Sequence, residues 1–219
     1  MHRVEIRAHI EEIGIFPAVR VASSELALFA AASVYDAGIP LVEITLTVPG
    51  ALEVIAELTG KYPDMIVGAG TVLDADAARR CVDAGARFLT SPGLVPDVIE
   101  FALQRDVVII PGALTPSEVI AAWTVGVDFV KIFPCAPVGG DKYIRALKVP
   151  LPQVPLIASG GVNQKTAADF ILAGASAIGI GAELMPKEAL QTRKSEWISE
   201  LARRFKAIVN DARALRDSV

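Results

Sequence analysis

A chain of 219 residues that is 53% hydrophobic and 21% charged has ample material for a packed core, which excludes a disordered protein. Its net charge of −4, with the basic residues scattered or gathered late in "ARRFK", argues against a nucleic-acid or anionic-membrane surface. Cys81 and Cys135 with His2 and His9 make neither a disulfide framework nor a zinc set, so no metal site is expected.

The opening "MHRVEIRAHIEEIG" has no apolar h-region, and no run of about 18 apolar residues follows, so a soluble cytoplasmic protein is expected. Ile6, Ile10 and Ile13 recur at helical spacing and predict an extra N-terminal helix. Apolar strand-like runs then alternate with helical patterns. The strands fall at 15–20, 41–45, 65–70, 87–91, 107–112, 128–133, 155–160 and 177–181. Helices lie between them at 24–37, 50–61, 74–84, 96–105, 116–125, 140–148 and 166–173, and a long one is predicted near 187–216. Ser23 or Ser24, Asp74 and the pair Thr115-Pro116 provide start signals.

A weak repeat supports the count. Gly38, Gly85, Gly126 and Gly174 recur after 47, 41 and 48 residues, each closing a helix and entering a strand. Glycine suits a left-handed helix C-cap there. Four such quarters of two βα units predict an α/β protein, a (β/α)₈ barrel, with residues 1–219 forming one domain. An open doubly wound sheet is the alternative. The stripe Trp197, Leu201, Phe205 and Ile208 on the last helix reads as packing.

The stretch "VDFVKIFPC" poses the functional question, because Lys131 interrupts a buried strand. Strand residues alternate faces, so Phe129, Lys131 and Phe133 share one, and Leu41, Glu43 and Thr45 share another. Both sets are expected to point into the barrel. One reading is a buried ion pair that holds the barrel together, although such pairs stabilise weakly. The other is chemical: desolvation disfavours the ammonium form, and a neutral amine attacks a ketone while a nearby carboxylate moves protons.

Polar groups gather at other strand ends, where such barrels carry their active sites. Arg20 closes strand 1, Thr45 and Thr47 stand at the end of strand 2, Thr71 follows strand 3, and "TSPG" ends strand 4. Arg20 suits a carboxylate. "ASGGVN" and "GIGAEL" end strands 7 and 8, where Gly160, Gly161 and Gly181 let backbone N–H groups approach a phosphate.

In order and spacing, "EITLTVPGA", "VGAGTV", "TSPGL", "IIPGALTPSE", "KIFP" and "SGGV" resemble the 2-keto-3-deoxy-6-phosphogluconate (KDPG) and 4-hydroxy-2-oxoglutarate (KHG) aldolases, including the phosphogalactonate (KDPGal) enzymes. The resemblance covers roughly residues 10 to 185. It implies a class I pyruvate aldolase of Entner–Doudoroff type carbohydrate metabolism, a homotrimer needing no cofactor. Under it, Lys131 is the Schiff-base lysine and Glu43 the general acid/base, acting through a water. Thr71 contacts the pyruvyl carboxylate, Pro92 and Phe133 pack beside the nucleophile, and Ser159, Gly160, Gly161 and Gly181 hold the distal phosphate.

Two departures stand out. Thr47 occupies a position where the phosphogluconate branch has an arginine, whereas Arg20 matches the arginine of the galactonate branch. Ala182 replaces a serine found in several members, and Glu183 adds a negative charge nearby. The expected reaction is cleavage of a 2-keto-3-deoxy acid to pyruvate and an aldehyde. A metal-dependent aldolase, a phosphosugar isomerase and a non-catalytic phosphosugar-binding barrel are the competing readings.

Overall fold

The computed structural model describes residues 1–218. The first half contains α1 (Arg3–Ile13), β1 (Ile15–Val19), α2 (Ser24–Asp36), β2 (Leu41–Thr45), α3 (Ala51–Lys61), β3 (Ile66–Gly70), α4 (Ala75–Asp83) and β4 (Phe88–Thr90). It continues through α5 (Pro96–Gln104), β5 (Val108–Ile110), β6 (Gly112–Ala113) and α6 (Pro116–Thr124) to β7 (Val130–Ile132). After a 3₁₀ turn at Ala136–Val138 come α7 (Asp141–Lys148), β8 (Leu156–Ser159), α8 (Ala167–Leu172), β9 (Ala177–Ile180), α9 (Lys187–Gln191) and α10 (Ser195–Asp217).

Every strand pair is parallel, in the order β5-β4-β3-β2-β1-β9-β8-β7-β6. The two ends of that order, β5 and β6, are halves of one predicted strand separated by Pro111. The sheet is therefore a nearly closed barrel, with helices outside and the chain itself completing the ring. Below the break, the Asp128 side chain accepts the Ile109 N–H at 2.9 Å and holds Arg3 of α1 at 2.9 Å. Ile6 and Ile10 of α1 are buried against the barrel floor, as their spacing predicts.

The local signals operate as their chemistry requires. Ser23 and Asp74 accept from the N–H groups of Leu26 and Ala77, and Thr115 with Glu118 forms a capping box. The repeated glycines take positive φ, 81° at Gly38 and 100° at Gly174, as a left-handed C-cap requires.

Two expectations need correction. The single helix near 187–216 is broken into α9 and α10, with Arg193 between them at φ 54°. The buried stripe of α10 runs Ile198, Leu201, Ala202, Phe205, Val209 and Ala212, whereas Trp197 is 37% exposed. Leu201 and Phe205 are buried as expected and Ile208 packs partly buried against the core, whereas Trp197 lies off the face.

Register assigns the barrel interior. Ala18 pairs with Glu43, Glu43 with Gly68, Thr45 with Gly70, Lys131 with Gly112 and Ile157, and Ser159 with Gly179. Phe16 and Phe88 fill the lower interior with ring centroids 4.9 Å apart, and a side chain at Gly68 would strike the Phe88 ring. Higher up, Gly70 leaves the space in which Glu43 stands, Gly112 meets the Pro92 backbone, and Gly179 makes room for Ser159.

Candidate active site

The upper end of the barrel opens into a cleft of about 820 Å³. Lys131 and Glu43 rise into it from β7 and β2, their side chains 11% and 1% exposed. Lys131 Nζ lies 3.5 Å from Glu43 Oε2 and 5.5 Å from the centroid of the Phe133 ring. At that separation the charges attract, yet Oε2 accepts no hydrogen bond from any group of the described chain. A pair retained for stability needs close, fully bonded geometry to offset its desolvation. This pair is loose and faces open space, which fits groups that exchange protons with a third party.

Glu43 owes its place to a missing side chain. A methyl carbon on Gly70 would lie 2.5 Å from Glu43 Cδ and 2.7 Å from Cγ, and closer still to Oε1. The carboxylate thus fills the inward face that β3 leaves empty. Gly179 does the same for Ser159, since a methyl there would stand 2.6 Å from the serine hydroxyl.

Beside Glu43, two threonines form a chain with a fixed sense. The buried Thr45 hydroxyl lies 2.9 Å from the Val19 carbonyl and 2.8 Å from the Thr47 hydroxyl. A carbonyl only accepts, so the one Thr45 proton goes to Val19 and Thr45 accepts from Thr47. Thr47 therefore presents lone pairs, and no proton, to the cleft.

At the far end, Gly160 and Gly161 both have φ 88°. The carbonyls of Ser159 and Gly160 accept from Cys135 and Ala136 at 2.8 and 2.9 Å, which turns the chain after β8 towards β7. Gly181 lies close to the Ala18 carbonyl, and its own carbonyl accepts from Leu184 and Met185.

The predicted residues Arg20, Glu43, Thr47, Lys131, Phe133, Ser159, Gly160, Gly161 and Gly181 all line the cleft. Thr71 and Pro92 do not. Thr71 follows Gly70 at φ 61°, a left-handed conformation that is strained for a β-branched residue. Pro92 packs by its backbone against Gly112, the register partner of Lys131, and so stands one residue removed from the nucleophile. Glu183 is exposed at the rim with Lys187, a lysine the sequence reading missed. Lys187 opens the short α9, which the prediction had absorbed into one long helix. Cys135, just past this wall, is buried and its thiol is pushed up to about 12, first by burial and then by Asp141. That protonated thiol is a poor nucleophile. No group of three His, Cys, Asp or Glu side chains able to hold a metal ion occurs among the described residues.

A model of the family described as "KDPG and KHG aldolase" matches residues 6–201. The chain belongs to the KDPG and KHG aldolase family. It is 32% identical over 190 residues to the KHG/KDPG aldolase of Escherichia coli K12, covering 86% of this chain and 89% of that one. Among solved structures, the KDPG aldolase of Legionella pneumophila, with pyruvate captured as a covalent carbinolamine, superposes with a TM-score of 0.84. Identity there is 30%, over 90% of this chain and 95% of the other. A native KDPGal structure matches with a TM-score of 0.80 at 29% identity, over 90% and 95% of the two chains. No helix of this family member is long and apolar enough to cross a membrane among the described residues.

Proposed function

We propose that this chain is a class I aldolase that cleaves a 2-keto-3-deoxy-6-phospho sugar acid, KDPG or KDPGal, to pyruvate and glyceraldehyde 3-phosphate. The observation that carries the reading is the buried, loosely paired Lys131 and Glu43 facing an open cleft.

In this reading the neutral Lys131 amine attacks the C2 ketone, and the carbinolamine hydroxyl, protonated by the acid form of Glu43, leaves as water to give a protonated imine and the Glu43 carboxylate. Glu43 takes the proton of the C4 hydroxyl as the C3–C4 bond breaks. The bonding electrons flow into the imine, leaving the enamine of pyruvate and a free aldehyde. Protonation at C3 and hydrolysis return pyruvate and the lysine. Arg20, which lines the cleft, is the carboxylate clamp, a role the cleft lining does not give to Thr71. Thr47 has no proton to offer a carboxylate, so its lone pairs accept from a substrate hydroxyl instead. Ser159 and the backbone N–H groups around Gly160, Gly161 and Gly181 take the distal phosphate, with Lys187 offsetting the charge of Glu183. The whole chain acts as one unit, in a cytoplasmic homotrimer serving sugar-acid breakdown of the Entner–Doudoroff kind. Light scattering on the purified protein tests the trimer.

A substrate panel tests the chemistry. KDPG and KDPGal are expected to yield pyruvate and glyceraldehyde 3-phosphate in equal amounts, one epimer faster than the other. Faster cleavage of 4-hydroxy-2-oxoglutarate would shift the assignment to pyruvate and glyoxylate, the reading favoured by Ala182 at the distal end. Phosphosugar binding without pyruvate release from any of the three would overturn the enzyme reading.

A further inference from the structure

The cleft does not end at the glycines after β8 and β9. It runs on between the first turn of α2 and α9, where Val21, Leu26, Met185 and Leu190 add an apolar lining. The Gly181 carbonyl accepts from Leu184 and Met185 at 3.0 Å each, which turns the chain after β9 so that α9 forms one wall of the cleft. The opposite wall begins at Ser23, whose hydroxyl accepts the Leu26 N–H at 3.3 Å and starts α2. Met185 and Leu190 are buried, whereas Val21 and Leu26 are only half-buried and leave apolar surface to the cleft.

The groove between these two helices is braced. Arg193, just after α9, holds a left-handed φ of 54°. Its guanidinium pairs with the Glu25 carboxylate, donates to the Glu25 carbonyl at 3.4 Å and lies 4.9 Å from the centroid of the Phe29 ring. Glu25 and Phe29 are one turn apart on α2, so a single side chain ties the end of α9 to that helix. At about 820 Å³ the whole cleft lies in the upper part of the range for ligand sites, about 300–1,000 Å³, which hold molecules larger than a six-carbon sugar acid. A phosphate gains nothing from four apolar side chains. Ala182 and Glu183 on the same lining present a methyl and a negative charge, which also favour an uncharged distal group.

We propose that the groove between α2 and α9 is a second substrate subsite, which takes an alkyl chain on the aldehyde half of the substrate. The protein then also makes and cleaves 4-hydroxy-2-keto acids with an unphosphorylated alkyl end. The inference rests on the aldolase reading above. The chemistry is unchanged. In cleavage, the C4 hydroxyl gives its proton to Glu43, the C3–C4 electrons pass into the imine, and the aldehyde that leaves carries the alkyl chain. In the reverse direction, the enamine of pyruvate attacks the alkyl aldehyde, and Glu43 returns the proton to the new C4 oxygen. Phosphorylated substrates use the glycine backbone after β8 and β9, and alkyl substrates use the apolar branch beside it. Arg193 is a positioning residue for that branch, since it touches the helices and not the chain.

The test joins pyruvate to acetaldehyde, butanal, hexanal and D-glyceraldehyde 3-phosphate, and measures each 4-hydroxy-2-keto acid by mass spectrometry. The three alkyl aldehydes have equally unhindered carbonyls, so differences among them report the chain. For the parent, kcat/KM is expected to rise about tenfold from butanal to hexanal, since each buried methylene is worth about fourfold. Val21→Thr keeps the shape of the wall and adds a hydroxyl, and Leu26→Ala shortens it. Each is expected to lower the hexanal-to-butanal ratio to about threefold or less, a ratio that a general loss of folded protein does not move. Equal kcat/KM for butanal and hexanal in the parent overturns the subsite while leaving the aldolase standing. A rising series that neither variant flattens places the chain elsewhere and overturns it as well. A parent that joins pyruvate to none of the four aldehydes overturns the aldolase reading itself.

Discussion

Gly70→Ala isolates the position of the catalytic carboxylate. Gly70 does not adopt a left-handed conformation, so its backbone accepts an alanine and the effect of the change lies in the added methyl. That carbon would stand 2.5 Å from Glu43 Cδ, whereas ordinary contact begins near 3.4 Å, so the carboxylate must retreat by about 1 Å. Glu43 is 1% exposed, so the retreat drives its carboxylate from its place beside Lys131 towards the cleft that both residues line. A displacement of about 1 Å at a reacting group costs on the order of 10²-fold in rate, and overpacking a tight interior costs about 1–3 kcal/mol of stability. We expect Gly70→Ala to fold, to lose about two orders of magnitude in kcat for aldol cleavage, and still to form the pyruvate adduct at equilibrium. Coupled detection of pyruvate measures the rate, and denaturant melting measures the stability. Gly60→Ala is the control, because nothing lies within 4 Å of a methyl there. Parent-like turnover in Gly70→Ala would refute the placement of Glu43 as the group that moves the proton.

Three further predictions concern other parts of the molecule. Thr47→Val is expected to raise KM for the sugar acid about tenfold, the value of one hydrogen bond, and to leave half-saturation of pyruvate trapping unchanged; weaker pyruvate capture would make Thr47 a carboxylate ligand. Phe88→Ala removes a fully buried ring beside Phe16 and is expected to cost about 3–5 kcal/mol, read from the urea midpoint. Burial raises the Cys81 thiol from 9.0 to about 11 and the Cys135 thiol to about 12, so both stay protonated in the fold. The unfolded chain releases these protons first as pH rises. The stability they contribute is therefore fully present below about pH 9 and is lost through about 11 and 12. Melting temperature should fall across that window, and less steeply in a Cys81→Ala, Cys135→Ala double variant; parallel profiles would refute the linkage.

Much of this architecture was legible because strand and helix periodicities are local properties. The inward parity of Glu43 and Lys131 follows from alternation within two short strands, and the glycine C-caps from a conformation that other residues resist. What escaped depends on register between distant segments. Pro111 was visible in "VVIIPG", but that it divides one strand into two, each pairing on a different side, emerges only from the ladder. Gly70 is legible as the last residue of strand 3; its role as the seat of the Glu43 carboxylate requires knowing that β2 and β3 are neighbours. Arg193, which breaks the last helical run at φ 54°, carries no glycine or proline signal.

The central claim is that Lys131 is a nucleophile towards the ketone of a 2-keto acid. Incubation with pyruvate and borohydride, read by intact mass and peptide mapping, tests it most directly. A reduced pyruvyl adduct on Lys131, absent in Lys131→Ala, is the predicted result. Folded protein that traps no pyruvate at saturating concentration, or that carries the adduct on another lysine, would contradict the account.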